Sequence, residues 1–150
     1  MYNGEKILVV IPARGGSKGL PGKNIKLLNN KPLIQYTVDA AREVFDDERI
    51  YVSTDSEKIK AVVEQTGLKV PFLRPDKLAT DTANTRDVLL HAIDFFKKKN
   101  SFIPESIVLL QPTSPYRTAI HIKEVLKLYT TTIDMVVSVK ETESNPYYVL

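Results

Sequence analysis

The sequence predicts an α/β fold of three layers, with helices on both faces of a mainly parallel sheet. Three observations predict it. Short apolar runs rich in β-branched residues recur along the chain. Helical periodicities fill the intervals between them. Glycine, proline and small polar residues mark the breaks. Right-handed crossovers then give a strand order of 3-2-1-4-5.

The elements follow in chain order. Lys6-Ile-Leu-Val-Val-Ile11 reads as a strand buried on both faces. Pro32 suits a first helical position, and Leu33, Tyr36, Thr37, Ala40 and Val44 lie on one face after it. Arg49–Thr54 is the second strand. Ser56 can cap a helix that runs to about Thr66 and closes at Gly67. Leu68–Leu73 reads as a third strand, short or at an edge because Pro71 lies inside it. Thr85 can cap a helix from Arg86 to about Lys99, with Leu89, Leu90, Ile93 and Phe96 inward. Ser106–Gln111 and Asp134–Val139 are the fourth and fifth strands. Between them a helix starts near Thr118, with Ile122, Val125, Leu126 and Tyr129 at helical spacing.

A chain of 150 residues is the size of one domain, and residues 1–150 read as a single unit. With no cysteine, a disulfide framework, a Cys-based zinc site and a thiol nucleophile are excluded. The two histidines, His91 and His121, exclude a His-rich metal site and read as structural. No apolar run is long enough to span a membrane and no signal peptide is evident, so a cytoplasmic protein is expected.

The net charge of +3 is unevenly spread. Arg14, Lys18, Lys23, Lys26 and Lys31 fall in a stretch without any acid, and the rest of the chain is acidic on balance. A nucleic-acid binder would spread its charge along a face, whereas one basic loop suits a small anion. That loop is Pro12-Ala-Arg-Gly-Gly-Ser-Lys-Gly-Leu-Pro-Gly-Lys-Asn24, and it holds four of the six glycines, at positions 15, 16, 19 and 22. Glycine lets the backbone approach a ligand closely, and successive N–H groups can form an anion nest. Arg14, Lys18 and Lys23 add charge, so the loop reads as a polyphosphate cradle. It is neither of two better-known loops. Gly16 and Gly22 enclose five residues, one more than the P-loop pattern, and Asn24 stands where that pattern has Ser or Thr. The glycine spacing also differs from GxGxxG. A P-loop phosphotransferase is therefore disfavoured. In a doubly wound sheet the ligand crevice lies where the strand order reverses, between the loop after the first strand and the segment Gln111–Arg117.

Ile11-Pro-Ala-Arg-Gly-Gly-Ser-Lys-Gly19 with Lys23-Asn24 resembles the nucleotide loop of the CMP-sialic acid synthetases, the acylneuraminate cytidylyltransferases. Val52–Asp55, Leu73–Pro75, Ala79–Thr82 and Leu110–Arg117 agree with the same family in order, so the resemblance covers essentially the whole chain. It implies a Rossmann-like three-layer α/β/α fold of the nucleotide-diphospho-sugar transferase type. It also implies a Mg²⁺-dependent reaction joining CTP to the anomeric hydroxyl of a nine-carbon 2-keto acid sugar, with CMP-sugar and pyrophosphate as products. Within the loop Pro12, Ala13, Arg14, Gly15, Gly16, Ser17, Lys18, Lys23 and Asn24 would be nucleotide-binding. Arg14 and Lys23 would hold the CTP phosphates as the catalytic cations, and Ser17 and Asn24 would assist through hydrogen bonds to phosphate and ribose. Arg74, Ala83 and Thr85 would read cytosine. Gln111 would face ribose or sugar, and it stands where the related CMP-Kdo synthetases carry a metal-holding Asp. That favours the sialic-acid branch.

The family continues beyond this length with a dimerisation arm, giving a homodimer, and an Asp-x-Asp pair that binds Mg²⁺. No Asp-x-Asp occurs here. The metal ligands are therefore expected outside this chain, and the chain is expected to be a portion of the enzyme. The alternative is a non-catalytic nucleotide-binding fragment. Asp46-Asp47-Glu48 reads as solvated charge, and Asp55 as a helix cap beside Ser56. Asp81 and Thr82 suit a turn or a ligand equally. Arg117 is open between a site contact and none, and Tyr147 and Tyr148 could be interface aromatics. The acceptor sugar stays open among neuraminic, legionaminic and pseudaminic acids.

Overall fold

The computed structural model describes residues 6–16, 19–100, 102–139 and 141. Ser17, Lys18, Tyr147 and Tyr148 lie outside the described residues. The elements are β1 (Ile7–Pro12), β2 (Leu27–Leu28), β3 (Lys31–Pro32), α1 (Leu33–Arg42), β4 (Ile50–Ser53), α2 (Glu57–Glu64), α3 (Thr85–Asn100), β5 (Ser106–Leu109) and α4 (Ala119–Leu128).

The main sheet is three-stranded and wholly parallel, in the order β4-β1-β5. Val9 stands opposite Ile50 and Ile7 opposite Ser106. The period-2 alternation of β1 divides its side chains between two helix layers. Ile7, Val9 and Ile11 meet Ile34 and Val38 of α1, Ile59 and Val63 of α2, and Ile122 of α4. Leu8 and Val10, with Tyr51 of β4, meet Ala92 and Phe96 of α3. A central strand covered on both faces must be apolar at every position, which is why β1 lacks a polar alternation.

The α/β class is as expected, and the sheet keeps only the inner part of the expected order. The third strand does not form. Residues 68–75 run as irregular chain, with Leu68 and Val70 buried. Pro71 has no N–H to give a ladder, and the Val70 N–H goes instead to Glu64 Oε1 at 3.2 Å. The fifth strand does not form either. Residues 134–139 pair with nothing regular, and Val139 is 88% exposed.

Local signals succeed where they involve one turn. Ser56 caps α2, its Oγ accepting from the Ile59 N–H at 3.4 Å. Gly67 follows that helix with φ +88°, a conformation costly for any residue with a Cβ. Thr118 caps α4, and His121 Nδ1 accepts from the Thr118 N–H at 3.1 Å, which gives this histidine its structural role. At α3 the cap is Asn84, not Thr85, because Asn84 Oδ1 accepts the Asp87 N–H at 2.8 Å. Thr85 is the first helical residue. Pro32 likewise sits one step before α1, whose buried face keeps the expected Thr37 and Ala40 but adds Ile34, Val38 and Ala41 in place of Leu33 and Tyr36. On α3 Leu90 is 43% exposed, and Val88 and Ala92 take the inward positions beside Phe96.

The hairpin β2–β3 has no counterpart in the sequence reading. Asn29 and Asn30 take φ +48° and +61°, the pair of left-handed residues a two-residue hairpin needs. The Tyr36 hydroxyl donates to the Leu28 carbonyl at 2.6 Å. Among the described residues no helix is long and apolar enough to cross a membrane.

Candidate active site

All three strands point the same way, so their carboxyl ends open on one edge of the sheet. Each releases one segment of interest there: 13–24 after β1, 54–56 after β4, and 110–117 after β5. The basic loop starts as a continuation of the ladder, with the Ala13 N–H donating to the Ser53 carbonyl at 2.9 Å. Pro12 ends β1 half-buried and Ala13 is fully buried. The loop is then fastened at three points. The Gly15 N–H donates to Asp55 Oδ1 at 2.9 Å. Asn24, 7% exposed, donates from Nδ2 to the Arg14 carbonyl at 3.1 Å. Gly22, at φ +65°, turns the chain into the short 3-10 turn Lys23–Ile25. Gly16 is exposed and Lys23 half-buried.

A side chain at Gly15 would be crowded against the end of β4. A Cβ there would lie 3.1 Å from Ser56 Cβ and 3.5 Å from Asp55 Oδ2. The glycine favours close approach of the loop to the end of β4.

Arg14 reaches the segment before α3. Its Nη1 is 2.8 Å from Asp81 Oδ1 and donates to the Thr80 carbonyl at 3.4 Å. Arg74 is the most buried cation of the site, at 5% exposure. Its backbone N–H donates to the Thr54 carbonyl at 2.7 Å, and its Nη2 stands 3.6 Å from Asp55 Oδ1. Nε and Nη2 make no hydrogen bond, so a buried guanidinium keeps donors in reserve. Burial lowers the Arg74 pKa, and the Arg14 charge lowers it further; Asp55 opposes both. An arginine stays protonated at neutral pH all the same.

The contacts therefore bring together Arg14, Gly15, Asn24 and Arg74. Ala83 is half-buried and Thr85 exposed, on the stretch that carries Thr80 and Asp81. Gln111 is exposed beyond β5, and its carbonyl accepts from Arg117 Nη1 at 3.1 Å. Among the described residues Gln111 makes no hydrogen bond to the Arg14–Arg74 group. Burial lowers the Arg117 pKa.

One expectation is corrected, that for Asp55, while Asp81 lies in a turn, one of the two roles left open for it. Asp55 does not cap α2, which Ser56 does alone; it holds Gly15 and faces Arg74. Asp81 is the counter-ion of Arg14. The usable signal was an aspartate directly after the carboxyl end of a buried strand. Among the described residues no group of three acidic or histidine side chains is placed to hold a metal ion. Asp55 and Asp81 are engaged with Gly15 and with the two arginines.

His91 of α3 lies near Arg74, with Phe72 edge-on at 4.9 Å between ring centroids. Its Nδ1 is buried without a partner. Burial pushes its pKa down; Asp94 opposes this, while Arg74, Lys98 and Lys77 add to it. A depressed folded-state pKa means the unfolded chain takes up the proton first. Stability from the neutral ring is complete above the unfolded value of ~6.5 and is lost as pH falls toward the folded one. Urea unfolding at about pH 7.5 and about pH 5.5 checks this: His91→Phe reduces the loss of stability on acidification relative to the parent. Equal losses in the two proteins would refute it.

The comparisons with known proteins agree with this geometry. Residues 8–147 match the family described as Cytidylyltransferase. The CMP-N,N'-diacetyllegionaminic acid synthase of Legionella pneumophila subsp. pneumophila is 44% identical over 141 residues, covering 94% of this chain and 60% of that protein. The N-acylneuraminate cytidylyltransferase of Escherichia coli O18:K1:H7 is 44% identical over 140 residues, covering 93% of this chain and 32% of that protein. Among solved structures, CMP:2-keto-3-deoxy-manno-octonic acid synthetase complexed with CTP superimposes with a TM-score of 0.66 at 25% identity, covering 82% of this chain and 46% of that one.

A parallel α/β sheet with a glycine-rich basic loop at its carboxyl edge is thus a nucleotidyltransferase fold. Within that class the chain belongs to the cytidylyltransferase family, and its relatives support the resemblance to the CMP-sialic acid synthetases. It spans 60% and 32% of the two curated relatives' lengths.

Proposed function

We propose that this chain is the nucleotide-binding portion of a cytidylyltransferase that joins CTP to a nine-carbon 2-keto acid sugar. In that reaction the anomeric oxygen of the sugar forms a bond to the α-phosphorus, its hydroxyl proton is released, and pyrophosphate leaves. The observation that carries the reading is the convergence of Arg14, the Gly15 amide region and the buried Arg74 at the carboxyl edge of β1 and β4. Arg14 and Lys23 would neutralise charge growing on the α-phosphorus and the departing pyrophosphate. The loop of Pro12, Ala13, Gly15, Gly16, Ser17 and Lys18 would cradle the phosphates, and Asn24 would hold the loop's shape through the Arg14 carbonyl. Arg74, with donors in reserve, Ala83 and Thr85 would read the cytosine, and Gln111 would face ribose or sugar. Identity to the legionaminate and neuraminate relatives, well above that to the octonate synthetase, supports the sialic-acid branch.

The described residues do not build a site for the Mg²⁺ that the family resemblance implies. The reading assigns that ion, and the homodimer contacts, to residues outside this chain. A reaction consuming CTP suits the cytoplasm, where nucleoside triphosphates are held.

The test separates binding from catalysis. Calorimetry with residues 1–150 is expected to give tighter binding of CTP than of ATP or GTP by at least about tenfold. The same chain with CTP, Mg²⁺ and N-acetylneuraminate is expected to release no pyrophosphate above background. Equal binding of the three nucleotides removes the cytidylyl assignment, and robust pyrophosphate release removes the assignment of metal ligands elsewhere.

A further inference from the structure

We infer that Asp55 is a positioning residue that sets the phosphate loop and Arg74 in one register, so that the two ends of the nucleotide are read together. The inference rests on the nucleotide reading above. Its basis is the three residues Ser53–Asp55 at and just beyond the carboxyl end of β4. Ser53, Thr54 and Asp55 each hold a different piece of the site. The Ser53 carbonyl accepts from Ala13, and the Thr54 carbonyl accepts from the Arg74 backbone. Asp55 Oδ1 accepts the Gly15 N–H and is also the oxygen facing Arg74 Nη2, at 3.6 Å. One carboxylate oxygen therefore touches both the loop expected at the phosphates and the side chain expected at the base.

Two further features make this placement strict. At Gly15 the loop already lies close to Ser56, where an added Cβ would stand only 3.1 Å from Ser56 Cβ, so the loop has little room to drift toward β4. The Arg74 guanidinium is buried, and Asp55 is its one ion-pair partner among the described residues. Removing the Asp55 charge leaves a buried cation uncompensated, which displaces it toward solvent or toward another anion. Removing the acceptor frees the Gly15 amide. The two losses are separable, because asparagine retains an oxygen for Gly15 and gives up the charge facing Arg74.

The experiment is a set of binding measurements with CTP and with inorganic tripolyphosphate on the parent chain, Asp55→Asn, Asp55→Ala, Arg74→Met and the double variant Asp55→Asn/Arg74→Met. Urea unfolding establishes that each is folded. Asp55→Ala is expected to weaken CTP by about tenfold or more and to weaken tripolyphosphate as well, as loss of a charge-assisted contact does. Asp55→Asn is expected to leave tripolyphosphate within about twofold of the parent while CTP still weakens several-fold. If Asp55 acts through Arg74, the double variant binds CTP within about twofold of Arg74→Met alone, the non-additivity of residues in one network. Multiplicative losses in the double variant, or unchanged CTP affinity in Asp55→Asn, overturn the inference. Should Asp55→Ala fail to fold, the asparagine pair decides by itself. A parent chain that does not prefer CTP over ATP overturns the nucleotide reading and this inference together. A parent with that preference, insensitive to Asp55→Asn, overturns this inference alone.

Discussion

Arg14→Ala, or separately Lys23→Ala, is expected to lower kcat of the complete enzyme by about a hundredfold or more. Preorganised cations at a reacting phosphate are worth that much because they meet charge that appears only in the transition state. Arg14 is held by the protein itself: Asp81 and the Thr80 carbonyl hold its guanidinium, and Asn24 holds its carbonyl. Little reordering is needed when a phosphate replaces the carboxylate. Neither residue contributes to the hydrophobic core, so the variants should unfold at nearly the parent's urea concentration. Steady-state kinetics with CTP and the acceptor sugar measures the effect. Near-parent turnover in both variants would remove the phosphate roles of this loop.

Phe96→Ala carries the largest expected cost in stability, about 3–5 kcal/mol, the usual range for emptying a buried aromatic site. Phe96 is 2% exposed and packs on Tyr51 at 5.7 Å and on Phe102 at 5.4 Å between ring centroids. Tyr51 in turn meets Phe72 and Phe95, each at 6.0 Å. The cluster thus joins α3 to β4 and to the irregular segment that delivers Arg74. The melting temperature is expected to drop by about 10 °C, since ~1 kcal/mol corresponds to a few degrees at this size. CTP binding is expected to weaken too, because Phe72 stands two residues from Arg74. A melting temperature within about 2 °C of the parent would contradict this account of the core.

Those two effects sit on parts of the molecule with very different visibility in the sequence. The strands that became β1 and β4 were readable because burial on both faces demands unbroken apolar runs, and β5 was readable from a similar run although its Ile107 and Leu109 stay 37% exposed. The position of the basic loop was readable because glycine and positive charge are crowded into one stretch after the first of them. Leu68–Leu73 and Asp134–Val139 look equally strand-like as composition. A strand also needs a neighbour's free edge, and composition does not record that. Pro71 withholds a donor in the first case, and the second remains exposed. At α1 Ile34 and Val38 took the places expected of Leu33 and Tyr36 while Thr37 and Ala40 kept theirs, and at α3 the cap moved from Thr85 to Asn84, because adjacent residues carry nearly equal signals there. Asp55 and Asp81 were hardest to read. Their partners, Gly15 with Arg74 and Arg14, are distant in sequence, and only the parallel sheet makes them neighbours.

The position of β1 between β4 and β5 also has a consequence for synthesis on the ribosome. Val9 finds Ile50 after a modest length of chain, whereas Ile7 finds Ser106 only after α1, β4, α2 and α3 have all been made. A nascent chain can therefore zip β1 to β4 and cover one face with α1 and α2 while the opposite edge of β1 still has no partner. That interval leaves a bare row of backbone groups along the most apolar strand of the protein, the kind of edge on which nascent chains cross-pair. Slowing elongation between α3 and β5 would lengthen the interval, and chaperone demand would be greatest there.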